Sequence, residues 1–500
     1  MSRTRKSALN LAGGLIFTAV TVCVGVLSTP WLLHWLGTER FGTYRVLLDW
    51  CAYVGLLELG LGGALSARLA IALGKGEKAI AQSLLAAGLR AYSIVMLGML
   101  VVSAGLMVLL PYVVKSDAIG DTELRLAWLL LLVLILFFPL AVFRLLADAR
   151  QQSYLVSLLF TLQSLLTTGL LLISAWAGWG LIGQSLSTVL SQLPAVLILM
   201  WIGIRSYPIR WLSPPEPEAR KSIRALNWPM FIYNTSFRVG ILSDTIILAW
   251  VMGPAAVVPF FLTQRLATLA QNQLLNIGNS TWAGLVELQS QGHLETFRSR
   301  LLELTSLVSG LSLAVLVPIA AFNYHFIARW VGSTNYAGAA VNIIVCLNIW
   351  LWAVFYLWGW TLSGTGQISC WTPYAISFTI INLAVSIIGT ITLGLVGPLV
   401  GTLVAFLFVT SWAMPRVLKR IFGLSPQALW RNALMPFLWA LPYAAILGFF
   451  TRARMPSGWP ELIVEMCSAG VCGLALWWMI GLSRSSRSIW IARVQGALGR

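Results

Sequence analysis

Apolar runs of about twenty residues, broken by short polar interruptions, recur along the whole of this 500-residue chain. A bilayer core of about 30 Å takes about 20 apolar residues of helix. Read at that length, the chain holds fourteen spans, near 9–33, 44–66, 82–111, 125–147, 152–175, 181–203, 229–252, 258–285, 304–324, 338–362, 372–394, 396–415, 433–450 and 461–482. The pattern predicts an all-α polytopic membrane protein. The longest polar interruption, Arg205 to Arg224, carries Pro208, Pro214, Pro215, Pro217 and five basic residues and follows six spans. The expected domains are a six-helix lobe over 1–204, a cytoplasmic linker over 205–226, a second six-helix lobe over 227–420, and two further helices with a basic tail over 421–500.

Composition removes the soluble alternative. Hydrophobic residues make up 58% of the chain and charged residues 10%, against about 25% charged in an ordinary globular protein. The 33 Lys and Arg exceed the 16 Asp and Glu, a net charge of +17 that in a soluble domain would raise nucleic-acid binding. Topology accounts for it instead. With the N-terminus inside, 23 of the Lys and Arg fall on the cytoplasmic side, 7 outside and 3 within spans, as the positive-inside rule favours. Both termini are then cytoplasmic. The tail from Arg484 to Arg500 reads equally as an amphipathic helix on an anionic leaflet or as an unstructured basic tail. Six scattered cysteines have no metal-ligand spacing, so neither a disulfide nor a zinc site is expected.

The two halves repeat. Ala8-Leu9-Asn10 returns as Ala225-Leu226-Asn227, an offset of 217, and Gly60, Gly74 and Glu77 return as Gly278, Gly292 and Glu295, an offset of 218. Six intervening helices restore the starting direction, so the halves are expected to be related by a pseudo-two-fold axis along the membrane normal with a cavity between them.

The stretch from Leu32 to Glu77 resembles the first helical hairpin of polysaccharide exporters in the multidrug/oligosaccharidyl-lipid/polysaccharide superfamily, through Leu36-Gly37, Phe41-Gly42, Leu59-Gly60-Leu61-Gly62, Arg68 and the turn from Gly74 to Glu77. Asp244 to Gly253, Gln264-Arg265-Leu266, Arg329-Trp330-Val331-Gly332 and Gly394 to Ala405 extend the likeness to roughly residues 8–415. The resemblance implies a flippase that moves lipid-linked oligosaccharide repeat units, of the undecaprenyl-pyrophosphate type, across the bacterial cytoplasmic (inner) membrane by alternating access. It implies a place in surface polysaccharide or lipopolysaccharide (O-antigen) synthesis. The implied partners are the lipid-linked substrate, membrane lipids and the polymerase and chain-length machinery; no cofactor and no nucleic acid are expected.

Ionisable residues near the centre of a span each cost about 2.5–3.5 kcal/mol on insertion scales and need a partner or a wet cavity. Arg90, Arg238 and Arg265 are the intramembrane cations; Asp49, Glu58 and Asp244 are the clearest anions. Equal numbers allow complete ion pairing between helices. The other reading is a cationic cavity for a pyrophosphate, which the arginine fork of donors suits. On one helix face Arg265 is followed by Thr268, Asn272, Asn276 and Asn279, a stripe that offers donors and acceptors to sugar hydroxyls. Its plain alternative is amide glue between helices. Arg90, Arg238, Arg265, Asn234, Asn272 and Asn276 are thus the candidate substrate-binding residues.

Asp244 is rotated roughly 120° from the face of Asn234, Arg238 and Thr245. With Asn382 and Thr402 it makes an oxygen set for sodium or a proton. This set is similar to the sodium site of the lipid II flippase branch, except that Ser386 stands where that branch has a second acid. The first helix likewise lacks that branch's arginine, carrying Asn10, Gly14, Thr18, Thr21, Gly25 and Ser28. Glu58, beside Gly60 and Gly62, responds to protons or pairs with Arg68, and Arg45 and Asp49 stand one turn apart as an ion pair. The ion-coupling candidates are therefore Asp244, Asn382, Thr402 and Glu58. His34, His293 and His325 read as interfacial, and tryptophans such as Trp31, Trp35, Trp330, Trp352, Trp358 and Trp360 as belts and lipid-facing packing.

Two other classes compete. A membrane-embedded polymerase or glycosyltransferase needs catalytic groups in a sizeable outside loop, and the longest, near Tyr112 to Leu124, has only Asp117, Asp121 and Glu123 without a motif. A drug or cation efflux transporter of the same superfamily would call for an acid-rich cavity rather than arginines. The chain has no GxxxxGK[ST] sequence, so the expected energy source is an ion or substrate gradient, and the protein is read as a transporter, not an enzyme.

Overall fold

A computed structural model describes residues 3–207 and 228–482, apart from 59, 115, 117 and 455, together with Arg487. The linker, the Ala225-Leu226-Asn227 repeat and the basic tail lie outside the described residues. The chain is a multi-pass membrane protein, helical throughout with no strand among the described residues. Its helices are α1 (Arg3–Gly55), α2 (Leu61–Gly74), α3 (Lys78–Val113), α4 (Asp121–Leu136), α5 (Ala141–Ala149), α6 (Ser153–Trp176), α7 (Gly180–Ser206), α8 (Trp228–Met252) and α9 (Val257–Ser290). They continue with α10 (Leu294–Trp330), α11 (Ala339–Gly364), α12 (Thr372–Leu393), α13 (Gly397–Ala405), α14 (Ser411–Phe422), α15 (Pro426–Leu434), α16 (Phe437–Ala453) and α17 (Trp459–Leu476).

The fourteen expected spans and these helices differ in where the chain breaks. The 53 residues of α1 would run about 80 Å at 1.5 Å per residue, far more than a bilayer, and they are broken at Gly37, whose φ of 73° and ψ of 170° leave the helical region. The second expected span is interrupted by a 3₁₀ turn at Leu56–Glu58 and by left-handed Gly60, and the fourth by a turn at Phe138–Leu140, where Pro139 removes a helical donor.

The backbone also corrects the repeat. Positive-φ glycines recur as Gly37 and Gly253, Gly76 and Gly292, and Gly178 and Gly394, each pair 216 residues apart. The turn after α2 and the turn after α9 carry matching bonds: Gly76 N to Leu73 O and Glu77 N to Ala72 O in one, Gly292 N to Gln289 O and His293 N to Leu288 O in the other. Matching Gly74 with Gly292 therefore sets the register two residues off; the glycine that needs the left-handed conformation is Gly76.

The chain divides into two compact units, Met1–Phe231 with Thr245–Val258, and Ile232–Asp244 with Pro259–Arg500. The first is built on Leu65, Leu69, Leu85, Tyr92, Val142 and Phe143, all 0–1% exposed. A Cβ on Gly203 would lie 2.3 Å from the Phe143 ring, so α7 and α5 approach closely. Gly42 packs on Pro254, where a Cβ would fall 2.0 Å from the carbonyl oxygen. The second unit has a tryptophan-rich interior: Trp358 is fully buried and donates to Thr305 Oγ1 at 2.9 Å, and Trp350 donates to Ser309 at 2.9 Å. These rings are core, not interfacial belt, because their N–H groups find hydroxyl partners inside the bundle.

Candidate functional site

In the second unit α12 and α13 form a tight hairpin that turns at Gly394, with a φ of 62°. A Cβ on Gly397 would lie 2.2 Å from the Gly389 carbonyl carbon, and one on Gly401 would lie 2.0 Å from Ser386 Oγ. Small residues thus let the two backbones touch. Asn382, fully buried, lies with its amide 2.8 Å from the Thr402 hydroxyl. When the amide nitrogen donates to Gly240 O at 3.1 Å, the amide oxygen accepts from Thr402 N at 3.1 Å and from the hydroxyl. One side chain therefore ties α8, α12 and α13 together, and the Thr379 hydroxyl adds a 2.7 Å bond to Ser236 O.

Asp244 stands one turn beyond Gly240 on α8. It is 9% exposed, and its Oδ1 is buried with no hydrogen-bond partner among the described residues, which also hold no ion pair to it. A carboxylate oxygen buried without a donor is costly and is an acceptor for a hard cation. Ser386 is committed elsewhere: its hydroxyl donates to Pro398 O at 3.2 Å, and a Cβ on Gly401 would fall 2.0 Å from that hydroxyl. Among the described residues no three His, Cys, Asp or Glu are grouped as metal ligands.

In the first unit Glu58 sits at the break before α2. Its Oε1 accepts from the buried Tyr92 phenol at 2.6 Å and from Gly62 N at 3.1 Å. Gly62 has no side chain because a Cβ there would be 2.5 Å from that oxygen. Glu58 thus holds the start of α2, and Arg68, its expected partner, is exposed. Half-buried Asp49 has Arg45 one turn away and a hydrogen bond from the Thr245 side chain.

Of the arginines, Arg90 is half-buried on α3, Arg238 is exposed, and half-buried Arg265 lies with its guanidinium 5.7 Å from the Phe261 ring centre. At the 216-residue spacing Arg265 occupies the place that Asp49 has in the first half. Thr268, Asn272 and Asn276 are exposed, so α9 does not bury that stripe between packed helices; the side chains of Asn234 and Asn279 lie outside the described residues.

Several polar residues of the structure carry no sequence motif. Fully buried Asn323 donates to Thr263 O and to Asn342 Oδ1, both at 2.7 Å. Glu123 receives Arg40 through two nitrogens at 3.2 and 3.3 Å and Leu181 N at 2.9 Å. His325 is buried and 3.0 Å from Thr451 O, not interfacial. Each partner comes from a distant helix, where periodicity carries no signal.

The sequence matches the family of polysaccharide biosynthesis proteins over residues 11–283, more than half of the chain. It belongs to that family. This polysaccharide biosynthesis family protein is also 21% identical to "Uncharacterized membrane protein EpsK" of Bacillus subtilis (strain 168), with 99% of each chain covered. Among solved structures it shares its fold with the lipid II flippase MurJ in an inward closed conformation, at a TM-score of 0.68 and 11% identity, covering 95% of this chain and 99% of that one. An inward-facing multidrug resistance MATE family transporter of the MOP superfamily follows at a TM-score of 0.60 and 17% identity, covering 82% and 99%. The fold is that of the all-helical transporters of this superfamily.

Proposed function

We propose that this protein is a flippase that carries lipid-linked oligosaccharide repeat units across the bacterial cytoplasmic membrane by alternating access, for assembly of a surface polysaccharide. The reading rests on the family match, the shared fold of a lipid II flippase, and above all on Asp244, whose buried Oδ1 has no partner among the described residues and which stands one turn beyond the Gly240 carbonyl that the Asn382 amide meets. That carboxylate is the coupling group: it takes up sodium or a proton in one state and releases it in the other. Glu58, which holds the start of a broken helix, is a second coupling acid, in the first half. Arg265, Arg238 and Arg90 neutralise the substrate pyrophosphate, and Asn234, Asn272 and Asn276 meet its sugars. The N- and C-termini and the 205–226 linker face the cytoplasm, and the polymerase and chain-length machinery are the protein's partners.

A multidrug or cation exporter remains the second reading, favoured by the fold shared with the MATE transporters. The two separate in cells. Deletion of the gene removes surface polysaccharide and leaves the lipid-linked repeat unit accessible only from the cytoplasmic face; unchanged polysaccharide with increased drug sensitivity would favour export of drugs.

A further inference from the structure

The sixth span of each half ends alike. In the first unit Leu197, Trp201 and Arg205 follow at four-residue steps on α7, and in the second Phe408, Trp412 and Arg416 do so where the π-helical turn Phe406–Thr410 runs into α14. All six are exposed, Trp201 by 55% and Trp412 by 43%. Four residues are about one turn, so each set makes a single stripe from apolar side chain to indole to guanidinium. The guanidinium lies over the indole in both, 4.2 Å from the ring centre for Arg205 and 4.8 Å for Arg416. The Trp412 N–H donates to the Phe408 carbonyl, which fixes that ring against its helix.

The second stripe opens onto a basic surface. Lys419 and Arg420 continue it on the exposed face of α14, whose other face buries Ala413, Met414, Val417, Leu418 and Phe422. The Trp430 N–H, 2.9 Å from Ser411 O, ties α15 to the start of α14, and α15 adds exposed Arg431. Arg416, Lys419, Arg420 and Arg431 form no ion pair among the described residues. Between Glu303 and Glu461 the sequence holds no acid. Arg298, which donates to Phe422 O at 2.6 Å, brings exposed Glu295 toward the end of α14, but that carboxylate is paired with Arg298 itself.

Indole rings settle at the headgroup level of a bilayer, and a guanidinium held over one keeps its donor edge open to a phosphate. We propose that the exposed face of α14 is a binding site for an anionic bilayer phospholipid, with the phosphate on Arg416, the net negative charge near Lys419 and Arg420, and an acyl chain along Trp412 and Phe408. A zwitterionic lipid offers the same phosphate but carries its own cation into this basic surface, so the site selects for net charge. The Trp201 and Arg205 stripe has only half-buried Arg150 beside it, bonded to Ser206 Oγ at 2.8 Å, and binds the same lipid more weakly. The site is independent of what the protein carries.

The test uses the full-length protein in phosphatidylcholine nanodiscs with a small fraction of phosphatidylglycerol bearing a diazirine on its acyl chain. Cross-links should concentrate on the peptide that holds Phe408 and Trp412, several-fold above those from the same probe with a phosphatidylcholine head, and unlabelled phosphatidylglycerol should compete. Arg416→Gln, on an exposed side chain, should lower this labelling about fivefold, the share of one basic residue at an anionic leaflet. Labelling of the Leu197 and Trp201 peptide should stay as it was, which shows that the variant is folded. Equal labelling by the two head groups would overturn the proposal in favour of ordinary lipid contact, and unchanged labelling in Arg416→Gln would overturn the place given to the phosphate. Competition by soluble glycerol phosphate as effective as that by phosphatidylglycerol would overturn it in favour of a site for soluble anions.

Discussion

The Asn382 amide and the Thr402 hydroxyl lie 2.8 Å apart because Gly401, one residue before Thr402, lets α13 close onto Ser386. The same close approach brings the Ser386 hydroxyl to the Pro398 carbonyl at 3.2 Å. Asp244 stands one turn beyond Gly240, whose carbonyl the Asn382 amide meets; under the proposed function its single carboxylate suits a monovalent cation or a proton better than a divalent ion, which gathers more carboxylates.

Gly401→Ala tests that packing. Its Cβ would sit 2.0 Å from Ser386 Oγ and 2.7 Å from Ser386 N, so backbone must move. Overpacking of this kind costs about 1–3 kcal/mol, and the melting temperature in detergent should fall. Gly63→Ala, where nothing lies within 4 Å of the added atom, should leave it unchanged or slightly raised.

Tyr92→Phe removes the phenol that donates to Glu58 at 2.6 Å while keeping the buried ring. The expected loss is about 1.5–3 kcal/mol if the carboxylate is charged, read as a lowered melting temperature. Glu58→Gln in the same background should then add little, because the two residues act as one unit.

Arg265→Ala should abolish export at normal protein level, and Arg265→Lys should restore it only in part, since a point charge replaces the planar fork. Surface polysaccharide measured at matched protein abundance decides it; normal polysaccharide in the alanine variant would remove Arg265 from the site.

How far the sequence carried these conclusions varies by feature. Hydrophobic runs located the helices, since bilayer thickness fixes their length, yet the breaks at Gly37 and Gly60 depend on single backbone conformations that hydropathy does not encode. The repeat is legible from Gly292, but Gly74 and Gly76 serve equally well as its partner in the sequence and only the positive φ of Gly76 separates them. Asn382 and Thr402 were picked out from their oxygen chemistry and do meet. Trp358 and His325 read as interfacial in the sequence, because a buried ring and an interfacial one look alike there; the Thr305 hydroxyl and the Thr451 carbonyl that partner them come from distant helices.

The charge asymmetry makes a topological prediction. A cysteine at Ser213 should resist a membrane-impermeant thiol reagent in intact cells, whereas one at Ser457 should react. Ready labelling at 213 would reverse the orientation.

The most direct measurement is translocation of a lipid-linked oligosaccharide in proteoliposomes under imposed sodium or proton gradients, comparing wild type with Asp244→Asn. The amide keeps shape and polarity, so the variant should insert and elute as the wild type does. The wild type should move substrate faster under one of the two gradients, and the variant should ignore both or stop. Wild-type protein that moves no more substrate than empty vesicles, or that ignores both gradients as the variant does, would contradict the account.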